Sequence, residues 1–448
     1  MADALSDGDI DCGEVGALAL GLQRCATALR EAAPTVDAAA QGPAVAQLAA
    51  ALAAAEGALR LVRAGAAPAP CAPPRREVRV WMDGAFDMMH FGHANAFRQG
   101  RALGTTLVVG VNSDASIAAA KGPPVLTCAE RSAAVRACKF VDEVVEDVPY
   151  VMDAAYVAGI LREHRIDYIV HGDDPCVVDG RDVYESAKAL GKFKTIPRTR
   201  GVSTTDLVGR MLLLAKRRPR DAGELASPTR ASDLAGDAGE AADLLRRSRA
   251  FRSTSNMVAR FAVGTAAPPR GARVVYAPGT YDLFHAGHAA FLARARSLGD
   301  YLIAGVHADA LVSKVRGDAF PVMNMQERVL SVLSNRSVDD VLVDAPEVVD
   351  ETLLAAFDVV VVAQGGRGAD GQAAGDWHIS GDPDPFAVPR ARGIFVAVDS
   401  GSGLSYTSIA DRIRARHERL LANYVKKAKK ETAFYDGKDS RAAAAIEK

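Results

Sequence analysis

Two histidines three positions apart, with a glycine between them, are the residues of this chain best suited to chemistry. His90 and His93 follow the apolar run 78–82, which predicts a buried strand, and precede 94–103, which predicts a helix. Unpaired N–H groups and the helix dipole favour a phosphate at such a turn. Both imidazoles can donate to phosphate oxygens, and Gly92 permits close approach of the backbone.

The pattern occurs twice, which argues against a chance match. His285 and His288 repeat it 195 residues later, after another strand-like run, 273–277. Three further stretches correspond in order: 107–114 with 302–309, Glu130 and Arg131 with Glu327 and Arg328, and 141–144 with 338–341. We interpret this as the internal duplication of a whole domain, because the period is too long for a solenoid.

Length, charge and cysteine usage narrow the class of protein. The 448 residues favour two to three domains, and a formal net charge of −1 argues against a nucleic-acid partner. The six cysteines form no CxxC pair, so we interpret them as free thiols in a reducing compartment, and we predict a cytoplasmic protein. No apolar run reaches the roughly 18 residues of a spanning helix.

The duplication and changes of composition divide the chain into five segments. These are an Ala-rich extension (1–76), a first repeat (77–217), a linker (218–270), a second repeat (271–413) and a basic tail (414–448). The extension is interpreted as a poorly packed segment rather than a membrane anchor or targeting peptide, since its first residues are acidic. Solvated chain is likewise favoured over a phosphorylated linker and over a lipid-binding tail.

Strand-like and helical runs alternate in the first repeat. The strands are 78–82, 106–111 and 168–170, and the helices are 94–103, 129–138 and 156–164. Alternation predicts an α/β fold, a doubly wound parallel sheet of Rossmann-like type in each repeat. Ligands bind beyond the carboxyl ends of such strands. The residues near those ends are therefore expected to converge with the histidines: Asp87, Asp114, Gly172, Asp173 and Asp174.

Two cations and a hydroxyl-rich helix start add further phosphate donors. Lys121 precedes Gly-Pro-Pro, which stiffens its loop, and Arg198 can contact phosphate oxygens with two N–H groups. Gly201, Ser203, Thr204 and Thr205 open an apolar helix, 207–215. The alternatives without a phosphate are that Lys121 is a surface lysine and that the hydroxyl groups only cap the helix.

This set of donors contains no Ser/His/Asp or Cys/His nucleophile arrangement. It suits phosphoryl or nucleotidyl transfer by direct in-line attack, without a covalent enzyme intermediate. Asp87 and Asp114 either hold Mg²⁺ that bridges the phosphates or orient the histidines, and the residues leave both alternatives open.

Across about residues 77–435 the sequence resembles the ethanolamine-phosphate cytidylyltransferase family, which also has two repeats. The resemblance rests on 84–93, Lys121-Gly-Pro-Pro, Gly172-Asp-Asp, 178–182 and 198–206, with 392–395 and 399–402 in the second repeat. It implies that a phosphoethanolamine oxygen attacks the α-phosphorus of CTP, giving CDP-ethanolamine and pyrophosphate.

The resemblance also implies residue roles. His90 and His93 would stabilise charge on the α-phosphate, while Lys121 and Arg198 hold phosphates. The predicted nucleotide- or phosphate-binding residues are Gly84, Asp87, Gly92, Asp114, Arg131, Gly172, Asp173, Gly201, Ser203, Thr204 and Thr205. Tyr150 and Tyr184 are predicted at the substrate ammonium, and Mg²⁺ is expected with CTP.

The second repeat departs from the pattern. It keeps Asp282, His285 and His288, but Arg316 aligns with Lys121, Ser400 with Arg198, Tyr406 with Thr204, and Gly365-Gly-Arg with Gly172-Asp-Asp. We therefore predict chemistry at the first repeat only, and a homodimer or a pseudo-dimer of the two repeats.

Three alternatives remain at this point. A choline-phosphate cytidylyltransferase would share the aromatics but would have one catalytic repeat and a long amphipathic helix. A class I aminoacyl-tRNA synthetase would need a lysine-rich loop and an anticodon module that are not visible. A non-catalytic nucleotide-sensing scaffold fits the second repeat but not the donors of the first. Peripheral contact with the endoplasmic reticulum or outer mitochondrial membrane is also left open.

Overall fold

The computed structural model describes residues 76–178, 180–199, 201–216, 254–317, 320–365, 384–422 and 425. The predictions made for residues 1–75, for 218–253 of the linker and for the tail beyond residue 425 lie outside these ranges. Among the described residues, none of the helices is both long enough and apolar enough to span a bilayer.

The first repeat is built on a five-stranded parallel sheet with strand order β3-β2-β1-β4-β7. Its elements are β1 (Arg79–Gly84), α1 (Phe91–Arg101), β2 (Thr106–Asn112), α2 (Asp114–Lys121), α3 (Cys128–Arg136), β3 (Glu143–Val148), α4 (Ala154–Glu163), β4 (Tyr168–Gly172), β5 (Val177–Val178), β6 (Arg181–Asp182), α5 (Glu185–Ala189), β7 (Phe193–Ile196) and α6 (Thr204–Lys216). Strands β5 and β6 form a short antiparallel pair.

The second repeat has the same topology, with strand order β10-β9-β8-β11-β12. Its elements, preceded by α7 (Thr254–Phe261), are β8 (Val274–Gly279), α8 (Ala286–Arg296), β9 (Tyr301–His307), α9 (Asp309–Arg316), α10 (Met325–Leu333), β10 (Asp340–Ala345), α11 (Glu351–Ala356), β11 (Val359–Gly365), α12 (Ala387–Ala391), β12 (Phe395–Val398) and α13 (Tyr406–Ala415).

The predicted fold class, two tandem Rossmann-like domains, is confirmed. Strands β1 and β2 are buried along most of their length, as expected of central strands covered by helices on both faces. The sequence pattern missed the edge strands β3 and β7. Their half-exposed residues, such as Glu143, Glu146 and Lys194, break the apolar runs by which strands are recognised.

The structure extends the packed region beyond both predicted boundaries of the second repeat. Helix α7 lies within the predicted linker, yet its Met257 and Phe261 belong to the core, with Phe261 fully buried against Phe140. Helix α13 continues past residue 413, and the helical residues 417–422 pack Leu420 and Leu421 against the buried apolar cluster that contains Ile409 and Ile413.

The two repeats pack against each other about an approximate twofold relation. Cys138 and Asn335, which occupy corresponding positions, form an antiparallel bridge. On either side of it the Lys139 N–H donates to Ser334 O at 2.8 Å, and the Arg336 N–H donates to Ala137 O at 2.8 Å. Each repeat thus donates one backbone hydrogen bond to the other, from equivalent positions in the two repeats.

Two reciprocal ion pairs extend this interface. Glu130 of α3 accepts two N–H groups of Arg412 from α13, at 2.6 and 2.8 Å. Its counterpart Glu327 of α10 accepts two from Arg210 of α6, at 2.8 and 3.0 Å. Both glutamates also close the capping box at the start of their own helix, so one carboxylate serves the local turn and the interface.

The two pairs differ in burial, and this predicts unequal contributions to stability. Glu327→Gln should lower the free energy of unfolding by about 2 kcal/mol, because it removes the interface charge of Arg210, whose side chain is 4 % exposed and which is then left with Asp206 of its own helix as its charged partner. Glu130→Gln should cost less, and Asp411→Asn, in the exposed pair with Arg414, less than about 1 kcal/mol. Denaturant unfolding of the three variants provides the measurement, and equal losses would contradict the ranking.

Candidate active site

The His-x-Gly-His segment forms the start of α1, as the sequence predicted. His90 is the N-cap residue, and its Nδ1 accepts the Gly92 N–H at 3.1 Å. His93 lies one turn on, with its ring stacked on that of His90 at 4.0 Å between centroids and against Phe86 at 5.6 Å. The hydrogen bond at Nδ1 leaves the proton of neutral His90 on Nε2, which is therefore a donor.

Both imidazoles are neutral at physiological pH. Burial lowers the pKa of His90 well below its ordinary value, assisted by His93 and Arg198. Burial also lowers the pKa of His93 to about 3, and the positive charges of Arg198 and Lys121 contribute. His90 Nε2 and His93 Nδ1 are buried without a hydrogen-bond partner among the described residues, which marks them as groups for a ligand.

The two predicted cations lie in the electrostatic neighbourhood of His93. Lys121, the last residue of α2, directs Nζ over the Tyr150 ring, 4.6 Å from its centroid and 3.5 Å from its hydroxyl. Arg198 follows β7 and pairs with Asp174 at 3.2 Å, while its backbone N–H donates to Asp173 at 3.0 Å. The structure thus brings both cations to the carboxyl ends of the strands, beside the histidines.

Helix α1 fixes the segment that carries Arg198. The buried Asn95 amide donates to the Thr199 hydroxyl at 2.8 Å, and Gln99 donates to Pro197 O at 3.1 Å. Sequence reasoning missed both residues, because their partners are about 100 positions away in the chain. Arg200, in the same stretch, lies outside the described residues.

The loop between β1 and α1 is held in a strained shape. Phe86 and Met88 have φ angles of 47° and 49°, in the left-handed region that non-glycine residues rarely occupy. Tyr281 and Leu283 repeat this shape in the second repeat, at 52° and 49°. Strain of this kind persists only where the surroundings impose it.

Arg131 is one of the groups that impose this shape, which corrects its prediction as a phosphate-binding residue. Its side chain is fully buried and donates to Ala85 O, to Leu126 O at 3.2 Å and to Asn112 O at 2.7 Å. It also pairs with Asp114 at 2.7 Å. A guanidinium enclosed in this way joins three loops of the site but cannot turn towards a nucleotide.

Asp87 is the second such group. Its carboxylate accepts the N–H groups of Val125 at 2.7 Å and Leu126 at 3.0 Å, and burial raises its pKa. Asp114 likewise accepts from Arg131 and from the Cys128 N–H. Both carboxylates are committed to loop contacts, so they do not fit the predicted Mg²⁺ site.

In the ranges that the structure describes, no group of three or more His, Cys, Asp or Glu side chains is placed to hold a metal ion. The second alternative, that the acids orient the histidines, fits Asp87 only in a modified form. It orients the loop after Lys121 rather than the imidazoles themselves.

The predicted glycines make room for side chains of the protein. A methyl group at Gly84, Gly92 or Gly172 would lie 3.0 Å or less from the side chains of Phe86, His90 and Asp174, respectively. The absence of a side chain at Gly92 makes room for the imidazole of His90, and the close approach of a phosphate there stays a prediction. Gly201 differs, with φ +85° and open space where a side chain would begin.

The start of α6 combines capping with contacts to the site. The Ser203 hydroxyl accepts the Asp206 N–H at 3.1 Å, which is the capping role. The Thr204 hydroxyl donates to Asp87 O at 2.9 Å and so ties the helix to the histidine loop. Thr205 lies half-buried in the first turn. The groups at this helix start that can bind a phosphate are thus chiefly the backbone N–H groups, supported by the helix dipole.

A buried carboxylate missed by the sequence analysis completes the site. Asp83, in β1, accepts from the Tyr184 hydroxyl and from Trp81 Nε1, each at 3.3 Å. Desolvation raises its pKa to about 6, and Tyr150 is close enough for Asp83 to raise the pKa of that phenol. Asp83 lies just beyond the predicted strand 78–82 and was not singled out, although the alignment offers a signal, because Pro278 stands at its place in the second repeat.

The second repeat keeps the supports and alters the donors. Asp282 accepts from Val322 and Met323, and buried Arg328 donates to Thr280 O, as their counterparts do. His285 caps α8, but His288 Nδ1 accepts the His285 N–H at 3.3 Å, whereas the corresponding atom of His93 is unpaired among the described residues.

Further changes fill the second site with the protein's own side chains. Tyr406, at the position of Thr204, packs edge-on against Phe320 at 4.8 Å between ring centroids. Arg316 stands at the position of Lys121, and desolvation lowers the pKa of its guanidinium.

Comparison with known proteins gives matches along most of the chain. The model of the family described as "Cytidylyltransferase-like" matches residues 81–210 and 276–378, once in each repeat. The ethanolamine-phosphate cytidylyltransferase of Arabidopsis thaliana is 43 % identical over 81 % of this chain and 86 % of its own length. That of Dictyostelium discoideum is 42 % identical over 81 % of this chain and 98 % of its own.

Similarity to the choline enzymes is confined to part of the chain. Choline-phosphate cytidylyltransferase 2 of Arabidopsis thaliana is 42 % identical, but over 31 % of this chain and 45 % of its own length. The ethanolamine enzymes therefore match both repeats of this chain, whereas this choline enzyme matches a length of about one repeat.

The burial of the histidines predicts their protonation behaviour. Because the folded-state pKa values of His90 and His93 are lowered, both rings should stay neutral between about pH 5 and pH 8, with the His90 proton on Nε2. Ring-nitrogen NMR during a pH titration provides the measurement, with His90→Asn and His93→Asn for assignment. A midpoint near the ordinary value of about 6.5 for either ring would contradict the prediction.

Proposed function

The chain belongs to the ethanolamine-phosphate cytidylyltransferase family, and from that premise we propose how its first repeat performs the reaction. The enzyme transfers CMP from CTP to phosphoethanolamine, giving CDP-ethanolamine and pyrophosphate, a step of phospholipid biosynthesis. The observation that carries this conclusion is the similarity to ethanolamine enzymes over 81 % of the chain, through both repeats.

The reaction proceeds by direct displacement at the α-phosphorus. An oxygen of the phosphoethanolamine phosphate forms the new P–O bond, and the bond from the α-phosphorus to the bridging oxygen of pyrophosphate breaks. His90 Nε2–H and the neutral ring of His93 donate to the phosphoryl oxygens, where charge develops in the transition state. Neutral donors hold their protons throughout, so no proton transfer to the histidines is required.

The cations and the start of α6 bind the triphosphate. Arg198 is paired with Asp174 in the structure, at 3.2 Å, and exchanges this carboxylate for phosphate oxygens. Lys121 extends from the end of α2 as a point charge. The N–H groups at the start of α6, with the Thr205 hydroxyl, provide donors that need no rearrangement. Mg²⁺ is proposed to enter bound to CTP, without Asp87 or Asp114 as ligands.

Asp83 with Tyr150 and Tyr184 forms the proposed site for the substrate ammonium. A buried carboxylate beside phenol rings combines a counter-charge with aromatic faces, both of which attract a cation. Desolvation raises the pKa of Asp83 to about 6, so it is largely ionised at neutral pH and gains a partner when the ammonium enters. The side chains lie at the carboxyl end of the sheet, beside Lys121.

Chemistry is proposed for the first repeat only. The second lacks the carboxylate at Pro278, uses His288 to cap its own helix, and has Tyr406 at the position of a site threonine. The pseudo-dimer of the two repeats is proposed as the functional unit. A cytoplasmic location is proposed from the free thiols of Cys128, Cys138 and Cys176.

A substrate panel tests the function directly. Purified protein should form CDP-ethanolamine and pyrophosphate from CTP and phosphoethanolamine, with kcat/KM at least about tenfold higher than with phosphocholine or with ATP, GTP or UTP. Preference for phosphocholine would support the choline alternative, and absence of turnover with every pair would support a nucleotide-sensing scaffold.

Paired histidine variants test which repeat is catalytic. His90→Ala should lower kcat by about 10²–10³-fold because it removes a transition-state donor, and His285→Ala should change it less than about threefold. The two residues cap equivalent helices through the same hydrogen bond, so each variant controls for the structural effect of the other. Equal losses of turnover would refute catalysis at the first repeat alone.

The raised pKa of Asp83 predicts a pH-dependent KM for phosphoethanolamine. As the pH falls through about 6 the carboxylate takes up a proton, the ammonium loses its counter-charge, and KM should rise. Asp83→Asn should raise this KM by about tenfold at pH 7.5 and leave the KM for CTP within about twofold.

The substrate phosphate also titrates near pH 6, so the comparison with Asp83→Asn is essential. The variant should retain only the pH dependence that belongs to the substrate. Identical pH profiles of KM for the two proteins would contradict the assignment of Asp83.

A further inference from the structure

The loop after Lys121 is held by charged side chains from both repeats. We define the lysine loop as residues 121–126. Three of its backbone groups bond within the first repeat: the N–H groups of Val125 and Leu126 donate to Asp87, and Leu126 O accepts from Arg131. Two further carbonyls of the lysine loop accept hydrogen bonds from arginine side chains at the end of α13, in the second repeat.

Those two carbonyls belong to Pro124 and Val125. Arg416, at the end of α13, donates to Pro124 O at 2.5 Å. Arg412, one turn earlier, is directed to Val125 O at 3.4 Å while it pairs with Glu130. Every backbone N–H and C=O of residues 124–126 is thereby bonded to a side chain that carries a charge, since Pro124 has no N–H.

We infer that Arg416, supported by Arg412, positions Lys121 for CTP, so that the second repeat contributes directly to the first repeat's site. The inference rests on the proposed role of Lys121. Two prolines with fixed φ and Gly122, whose φ is 93°, connect Lys121 to the anchored carbonyl of Pro124. Because these three residues restrict the backbone, the position of Pro124 determines the position of Lys121.

Among the described residues, only part of this arrangement recurs at the second site. Arg210 of α6 does donate to Val322 O at 3.0 Å, as Arg412 does at Val125. The position in α6 that corresponds to Arg416 is Leu214, which has no side-chain donor. In the part of the chain that the structure describes, the extra anchor is therefore seen at the repeat that keeps Lys121, whereas the other repeat has Arg316 in place of that lysine.

A double-mutant cycle in the full chain separates positioning from general stability. Arg416→Gln should raise the KM for CTP and lower kcat/KM for CTP about tenfold, with the KM for phosphoethanolamine within about twofold. In a Lys121→Ala background the same substitution should lower kcat/KM less than about twofold, because the group it positions is gone. Additive losses in the cycle would overturn the inference.

Two further variants serve as controls. Arg416→Lys retains a charged donor and should recover most of the lost kcat/KM. Arg414→Gln removes the same charge from the exposed side of α13, where Arg414 pairs with Asp411, and should leave the kinetics unchanged. If Arg414→Gln and Arg416→Gln had equal effects, the loss would belong to the charge of the helix and the inference would fail.

Hydrogen exchange tests the anchoring without depending on turnover. Arg416→Gln should speed amide exchange in the lysine loop at least fivefold and leave residues 320–323 of the second repeat unchanged. Unchanged exchange in the lysine loop would overturn the inference even if activity fell. A wild-type protein that does not turn over CTP would refute the proposed function, while the exchange result would still decide whether α13 holds the loop.

Discussion

The site depends on one carboxylate that fixes two amides. Asp87 lies in the strained loop before the histidines and bonds the N–H groups of Val125 and Leu126, which belong to a different crossover of the fold. With Arg131 it holds the left-handed backbone at Phe86 and Met88 in place. Because the loop is fixed before substrate arrives, the histidine donors need little reorganisation when charge develops.

The duplication separates what the fold requires from what the chemistry requires. Asp282 and Arg328 repeat the contacts of Asp87 and Arg131 in a repeat that has Ser400 in place of Arg198 and Pro278 in place of Asp83. The retained residues therefore maintain the loop shape in both halves. The residues that differ between the halves, such as Asp83 and Arg198, are those to which the proposed mechanism gives roles in the reaction.

The sequence was sufficient for the fold class and for the histidines, because the duplication supplied an internal comparison that a single repeat would lack. It was insufficient wherever a side chain's role depends on distant partners. Arg131 and Asp87 have the residue types of phosphate and metal ligands, and only their buried contacts with Ala85 O and with Val125 and Leu126 reveal them as loop supports. Asp83 was overlooked because its neighbours in the strand are apolar, and such neighbours do not indicate a functional side chain.

The reciprocal pairs of Glu130 with Arg412 and Glu327 with Arg210 have a consequence for how such a protein can change. In an assembly of two identical copies these contacts would be the same by symmetry, and one substitution would alter both. Here each is encoded by separate codons. The side chains of Arg412 and Arg210 are 32 % and 4 % exposed, respectively. Fusion of the halves has thus allowed one junction to become almost fully buried while the other stays partly exposed to solvent.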